Sequence, residues 1–233
     1  MGVNPSTLPF AHEKIRPYSQ RKKVEEKQMI EKQLVVLLPV IFLASFIVRN
    51  VLVKIRTKER IRSSNPILTA SIAFISLSFV VTILSASSDR LYKYAIAISF
   101  LRFPIISYSG IVLFAISIIL GWFVSAQLKE SWRVGIHHDQ KTRLIQDGIY
   151  GYIRNPYFLS YYIMLFSLFL IRPSILILVL VTITIVLFHR MVLEEEVYLR
   201  KVHGKPYETY MQNTGRYLPL RHVVGQSHEK ISL

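Results

Sequence analysis

Four long apolar stretches, residues 34–53, 66–86, 95–128 and 156–188, alternate with short polar ones along the chain. About 20 apolar residues are needed to cross roughly 30 Å of hydrocarbon, so 34–53 and 66–86 each predict one membrane span. The stretch 95–128 is longer and is broken by Arg102 and Pro104. Two readings are open for it: an interfacial lead-in over 95–104 followed by a span over 109–128, or one long helix kinked at Pro104. The last stretch is split by Arg172-Pro173-Ser174 into halves of about 16 residues, short for a full crossing at 1.5 Å per residue. A tight helical hairpin packed against the other helices fits that pattern. The fold class expected is therefore an all-α polytopic integral membrane protein with about five transmembrane helices, the C-terminal hairpin included.

The polar segments suggest a topology. Residues 1–33 hold seven Lys/Arg and four Glu, with Pro5, Pro9 and Pro17 and no apolar run. A surface-lying tail is expected there, helical from about Tyr18 onward, without the apolar core of a signal peptide. Arg49 lies near the end of the first span and is expected to snorkel to the interface. Lys54, Arg56, Lys58, Arg60 and Arg62 follow, with Glu59 the one acid among them, and loops this basic stay cytoplasmic. Two crossings then return 129–155 to that side, and the hairpin returns 189–233 as well. The basic N-terminal tail falls on the other side, in tension with the same charge rule.

Composition narrows the class further. The chain is 52% hydrophobic and 18% charged, with a net charge of +15, where a soluble domain carries about a quarter charged residues. Disorder, coiled coil and collagen are excluded, and a water-soluble globule is disfavoured. A basic margin on an apolar body suits anionic lipid headgroups. The basic run 54–62 lacks the interleaved aromatics of a nucleic-acid strand binder, so no nucleic-acid partner is expected. Cysteine is absent, which removes thiolate metal sites, a cysteine nucleophile and thiol lipidation. His137 and His138 are adjacent rather than a helical turn apart, and no metal site is expected.

Candidate chemistry concentrates in two places. In Asp147-Gly148-Ile149-Tyr150-Gly151-Tyr152-Ile153-Arg154-Asn155-Pro156-Tyr157, Asn155 suits a helix cap and Pro156 the first helical position. The hairpin then starts at the membrane surface with Arg154 beside its N-terminus, a setting that favours a carboxylate; an anchor to lipid phosphate is the plainer reading. The second place is Glu194-Glu195-Glu196. Neighbours on a helix point about 100° apart, so one or two of the three can turn toward a cationic ligand while the rest face solvent. The hairpin brings Arg154 and Glu195 to the same membrane face. A zwitterion with an additional positive centre would fit between them.

Residues from about 110 to 219 resemble the membrane methyltransferases that include isoprenylcysteine carboxyl methyltransferase and the phospholipid N-methyltransferases. The family pattern runs Leu-Val, Gly-x-Tyr, Arg-His-Pro-x-Tyr-x-Gly, then two apolar helices later Glu-Glu-x-x-Leu, Phe-Gly-x-x-Tyr-x-x-Tyr and Leu-Pro. This chain has Leu144-Ile145, Gly148-Ile149-Tyr150, Arg154-Asn155-Pro156, Glu195-Glu196-Val197-Tyr198-Leu199, His203-Gly204 with Tyr207 and Tyr210, and Leu218-Pro219 in the same order. It departs in Asn155 for His, Phe158 for Tyr and Ser160 for Gly.

The resemblance implies an S-adenosylmethionine-dependent methyltransferase with a cofactor pocket on the cytoplasmic face and a lipophilic acceptor, either an isoprenylcysteine-type carboxylate or a phospholipid-like substrate. Carried over by position, cofactor contacts fall on Thr142, Arg143, Leu144, Ile145, Tyr150, Asn155, Pro156, Tyr157, Phe158, Glu195 and Glu196. Arg154 and Arg190 are the candidate catalytic residues. Isoprenylcysteine methyltransferases carry a substrate-facing Arg one turn before the acidic pair; four back from Glu194 is Arg190, and four back from Glu195 is Met191. The implied division is a polar tail over 1–33, N-terminal helices over 34–109, a methyltransferase core over 110–220 and a tail over 221–233. A membrane reductase of the related sterol or steroid type and a non-enzymatic membrane interaction protein are the alternatives.

Overall fold

The computed structural model describes residues 18–57, 65–128 and 144–220. Seven α-helices form over them: α1 (Tyr18–Thr57), α2 (Pro66–Ser87), α3 (Asp89–Tyr94), α4 (Pro104–Leu128), α5 (Pro156–Ile171), α6 (Ile175–His203) and α7 (Lys205–Asn213). Among the described residues no named strand occurs, only two isolated bridges. Local chemistry explains most boundaries. Asn65 caps α2 through Oδ1, which accepts from the Ile67 and Leu68 amides at 2.8 and 3.4 Å, and Pro66 fills the first helical position. Pro104 and Pro156 start α4 and α5 in the same way. Gly204, at φ 60°, ends α6, because an L side chain resists that conformation.

Four helices, Tyr18–Leu52, Pro66–Ser87, Pro104–Gln127 and Ile175–His203, are long and apolar enough to cross a membrane. The 16-residue α5 is shorter. These helices are apolar on every side rather than along one stripe, the pattern of helices that meet lipid or one another instead of water. Val40, Ile47, Leu77, Val80, Val112, Ile119 and Val186 lie exposed on the outside. Such a surface is incompatible with a water-exposed monomer, and the protein is an all-α integral membrane protein. Inside, Phe42 of α1 meets Phe79, Phe114 and Tyr161 edge-on, with centroids 5.8, 6.2 and 5.7 Å apart. Buried hydroxyls return to their own helices: Ser71, Thr82 and Thr184 donate to the carbonyls four residues back at 2.8 Å. Each is satisfied without water.

Among the described helices, α4 and α5 pack together most extensively. Gly110 makes that approach possible: a Cβ there would lie 2.8 Å from the Ile171 amide nitrogen and 2.9 Å from the Ser167 carbonyl oxygen. Both obstacles are backbone, so neither can swing aside. Gly110→Val is expected to destabilise the protein by about 1–3 kcal/mol through overpacking, read as a lowered unfolding midpoint in detergent.

The tip of the α5–α6 hairpin is clamped. The Pro173 carbonyl accepts from Tyr92 Oη at 2.8 Å and from the Ile98 amide at 2.9 Å. Ile175 donates to the Ile96 carbonyl at 3.0 Å, and Arg172 faces Glu31 of α1 at 3.9 Å. The start of α1 thus lies at the hairpin-tip end of the bundle. Asn65, the end of α4 and the polar half of α6 lie at the other end, as the counted topology expects.

The structure corrects the expected place of Arg49 and decides between the two readings of 95–128. Pro39 sits inside α1 without ending it; a proline removes one hydrogen bond, a loss that packed apolar helices absorb. Arg49 does not snorkel. It is 5% exposed, donates from Nε to the Ser45 carbonyl at 3.2 Å and lies over the Trp122 and Tyr157 rings. The stretch 95–103 is an irregular lead-in with a single short 3-10 turn, Ser99–Leu101, and the helix begins at Pro104 rather than bending there. Finally, α6 runs on past Phe188 to His203, so the acidic triplet rides on a spanning helix.

Candidate functional site

Helical rotation sorts the acidic triplet. On α6, Met191, Val192 and Glu196 share the buried side, while Leu193 and Glu194 are exposed and Glu195 is half-buried. Glu196, 4% exposed, collects the polar end of the hairpin. Arg154 Nε donates to its Oε1 at 3.2 Å and Asn155 Nδ2 donates to the same oxygen at 3.1 Å. Arg216 binds in a fork, with Nε 3.1 and 3.0 Å from the two oxygens and Nη2 2.8 Å from Oε2. Two guanidiniums and an amide around one carboxylate form a satisfied buried network.

Backbone geometry delivers these groups. The chain entering α5 runs beside the segment that leaves α7: Arg154 N donates to Gly215 O at 2.8 Å, Asn155 N to Arg216 O at 3.0 Å, and Gly215 N to Tyr152 O at 3.2 Å. Arg154 Nη1 also donates to the Met211 carbonyl at 2.9 Å and to the Thr214 carbonyl. Gly215 is required where it stands, because a Cβ would overlap the Leu218 carbonyl. Gly215→Ala is expected to displace Arg216 from Glu196 and lower the unfolding midpoint by several degrees, about 1–3 kcal/mol of overpacking. Tyr210 Oη donates to the Tyr150 carbonyl at 2.6 Å, tying α7 to the 3-10 turn Gly148–Gly151. Gln127 at the end of α4 accepts from the Ile149 amide at 3.0 Å.

Three polar groups near this network are left open. The Tyr150 hydroxyl and His203 Nε2 are buried with no hydrogen-bond partner among the described residues. Among the described residues none donates a hydrogen bond to the Glu195 side chain. Burial first, and then the Glu195 carboxylate, push the Tyr150 phenol far above its ordinary range, so it stays an O–H donor at neutral pH. Burial likewise raises Tyr207, and pushes Tyr210 up to about 12 against the opposing charge of Arg154. Hydrogen bonds to Glu196 hold the Arg216 guanidinium protonated still more firmly than usual. The open groups amount to one carboxylate and one neutral phenol donor, with an imidazole about two turns further along α6, a set that suits an ammonium and hydroxyl-bearing ligand.

The structure brings Arg154, Asn155, Pro156, Glu195 and Glu196 together with Tyr150 at one end of the bundle, while Leu144 and Ile145 are half-buried in the strand-free segment ahead of the Gly148–Gly151 turn. Arg154 meets Glu196, however, and not Glu195: at 100° per residue only one of the two can face the hairpin start. The Asn155 side chain makes no capping bond to α5, because its amide is taken by Glu196. Tyr157 bonds Tyr161 Oη to Oη at 3.0 Å, and Phe158 packs edge-on against Phe188 at 5.7 Å, so both rings join the helix core. Arg190 is exposed. Thr142, Arg143, His137 and His138 lie outside the described residues. A cavity of about 440 Å³ between the turn and α7 is lined by Gln146, Gly151, Pro206, Thr209, Tyr210, Asn213 and Thr214, and none of the candidate cofactor residues lines it. Arg216 escaped the sequence reading, and its one sequence signal is a cation next to Gly215 just ahead of Leu218-Pro219.

A bundle of spanning helices whose terminal hairpin ends in a carboxylate-centred polar cluster defines a membrane protein with a ligand site at one edge of the bilayer. Residues 105–206, just under half of the chain, match the phospholipid methyltransferase family model. The resemblance read from the motifs therefore has a counterpart in that match over one segment, from α4 to the start of α7. No curated protein matches the chain.

Proposed function

We propose that the protein transfers a methyl group from S-adenosylmethionine to a lipophilic acceptor, at the end of the bundle that carries Glu195 and on the cytoplasmic side of the membrane. The observation that carries this reading is a set of polar groups beside the Glu196 network: the Tyr150 hydroxyl and His203 Nε2, which have no partner among the described residues, and the half-buried Glu195 carboxylate. When bound, the cofactor supplies a methyl group on a sulfonium, which a nucleophile can displace in line. Glu195 takes its ammonium or a ribose hydroxyl and Tyr150 donates to it; the resemblance adds Leu144 and Ile145 against the adenine and, outside the described residues, Thr142 and Arg143 as further contacts. Glu196, Arg154, Asn155 and Arg216 act as positioning residues that hold the hairpin start against α6.

Methyl displacement depends on alignment and exclusion of water more than on a strong base. The spanning helices suit this role, since their exposed apolar faces, Val80 and Val186 among them, let an acceptor arrive from the bilayer instead of through water. A carboxylate or thiolate acceptor is ready to react, and an ammonium acceptor must first lose a proton. Arg190, exposed on α6, is available to an anionic acceptor.

Calorimetry on the purified full chain in detergent is expected to show binding of S-adenosylmethionine and of its demethylated product. Absence of binding by both overturns the proposal. Labelled cofactor incubated with a host lipid extract then identifies the acceptor, as the extracted species that gains label with wild type and not with Glu195→Gln.

A further inference from the structure

A second polar site lies at the opposite end of the bundle, where the tip of the α5–α6 hairpin meets the α3–α4 connection. From Pro104 to Gln127, α4 separates it from the first site by about 35 Å at 1.5 Å per residue. A cavity of about 470 Å³ opens there, lined by Lys27, Glu31 and Lys32 of α1, by Asp89, Arg102 and Arg172, and by Phe103, Pro104, Ser107 and Tyr108 at the start of α4.

The charges around it do not cancel. Four cations, Lys27, Lys32, Arg102 and Arg172, face two carboxylates, Glu31 and Asp89. Two of the cations are forced together. Buried Tyr92, its hydroxyl bonded to Pro173, carries the Arg102 guanidinium 5.3 Å from its ring centroid and that of Arg172 at 5.7 Å. Arg102 has Asp89 at 2.8 Å. Among the described residues Arg172 has only Glu31, at 3.9 Å, the far limit of an ion pair, and its Nε is buried without an acceptor. An N–H donor withheld from water and left unmade is costly, and a guanidinium is built for a tetrahedral oxyanion. An anion in the cavity would supply the missing acceptor and offset the crowding of positive charge.

The surroundings say which anion. Phe100, Phe103 and Ile105 are exposed next to the cavity, and Tyr108 lies one turn further along α4, a ring type that settles at the headgroup level. A ligand reaching Arg172 therefore has its polar part in the cavity and its remainder along an apolar helix surface facing the bilayer. We propose that this cavity binds the phosphate of a membrane phospholipid headgroup, with Arg172 and Arg102 holding the phosphate oxygens and Lys27 and Lys32 on the rim. The bound lipid fastens α1, the hairpin tip and the start of α4 together. This site is independent of methyl transfer, since every residue in it is remote from Glu195.

The test uses the full chain, stripped of lipid in detergent, with dioleoyl-phosphatidylglycerol, dioleoylglycerol and inorganic phosphate as probes. Retained lipid is counted by native mass spectrometry and stability by the unfolding midpoint. Phosphatidylglycerol is expected to stay bound at about one molecule per chain and to raise the midpoint, with the other two probes inert. Arg172→Gln is expected to weaken its binding about tenfold, the loss of a charge-assisted contact. If that variant fails to fold, the exposed rim pair Lys27→Ala with Lys32→Ala decides, with an expected several-fold loss that high salt reproduces in the wild type. An equal shift with dioleoylglycerol, the full effect from inorganic phosphate alone, or unchanged binding in the decisive variant overturns the proposal.

Discussion

Glu196→Gln is expected to lower the stability of the protein by about 3–5 kcal/mol, the typical penalty for breaking a buried ion pair from one side. Among the described residues the carboxylate is the single counter-charge for two guanidiniums. Arg216 has a third of its side chain exposed and can turn toward water, whereas Arg154 is 9% exposed and cannot. The cost is therefore concentrated in Arg154, whose remaining bonds are to the Met211 and Thr214 carbonyls. Unfolding of the purified variant in detergent measures it. Replacing both partners, as in Arg154→Met with Glu196→Leu, is expected to recover part of the loss, because no charge is then stranded. A single variant as stable as wild type would mean that the network does not hold the hairpin.

The neighbouring substitution separates folding from function. Glu195→Gln removes a carboxylate that accepts no hydrogen bond from the described residues and lies next to another negative charge. Stability is expected to stay within about 0.5 kcal/mol of wild type. Affinity for S-adenosylmethionine is expected to fall about 10- to 100-fold, the loss of a hydrogen bond between charged groups. Calorimetry reads the affinity and the unfolding midpoint reads the fold. Cofactor affinity preserved in Glu195→Gln would remove Glu195 from the site, and lost affinity with a collapsed midpoint would assign it a structural role instead.

Adjacent glutamates thus have different jobs, and the sequence could not say which was which. The triplet was visible as three acids following an apolar run, but its rotation depends on how α6 packs against α2 and α5. The same holds for Asn155. Its place ahead of Pro156 is a capping signature, yet a buried carboxylate 41 residues away outcompeted the helix amides for its side chain. Arg49 shows the reverse case. A cation near a helix end is free to reach the interface only if neighbouring helices leave it a path, and α4 and α5 close that path with Trp122 and Tyr157.

What the sequence determined alone is the part governed by local rules: apolar length sets which segments can span, Pro66, Pro156 and Gly204 punctuate the helices, and the ordered motifs mark the segment that resembles the phospholipid methyltransferase family. These follow from hydration and backbone sterics within a few residues. Tertiary structure decided everything that depends on residues distant in the chain. It chose Glu196 over Glu195 as the partner of Arg154, recruited Arg216, and gathered Arg102 and Arg172 around Tyr92, because charges in a low-dielectric environment are placed by whichever partners the helix packing brings within reach.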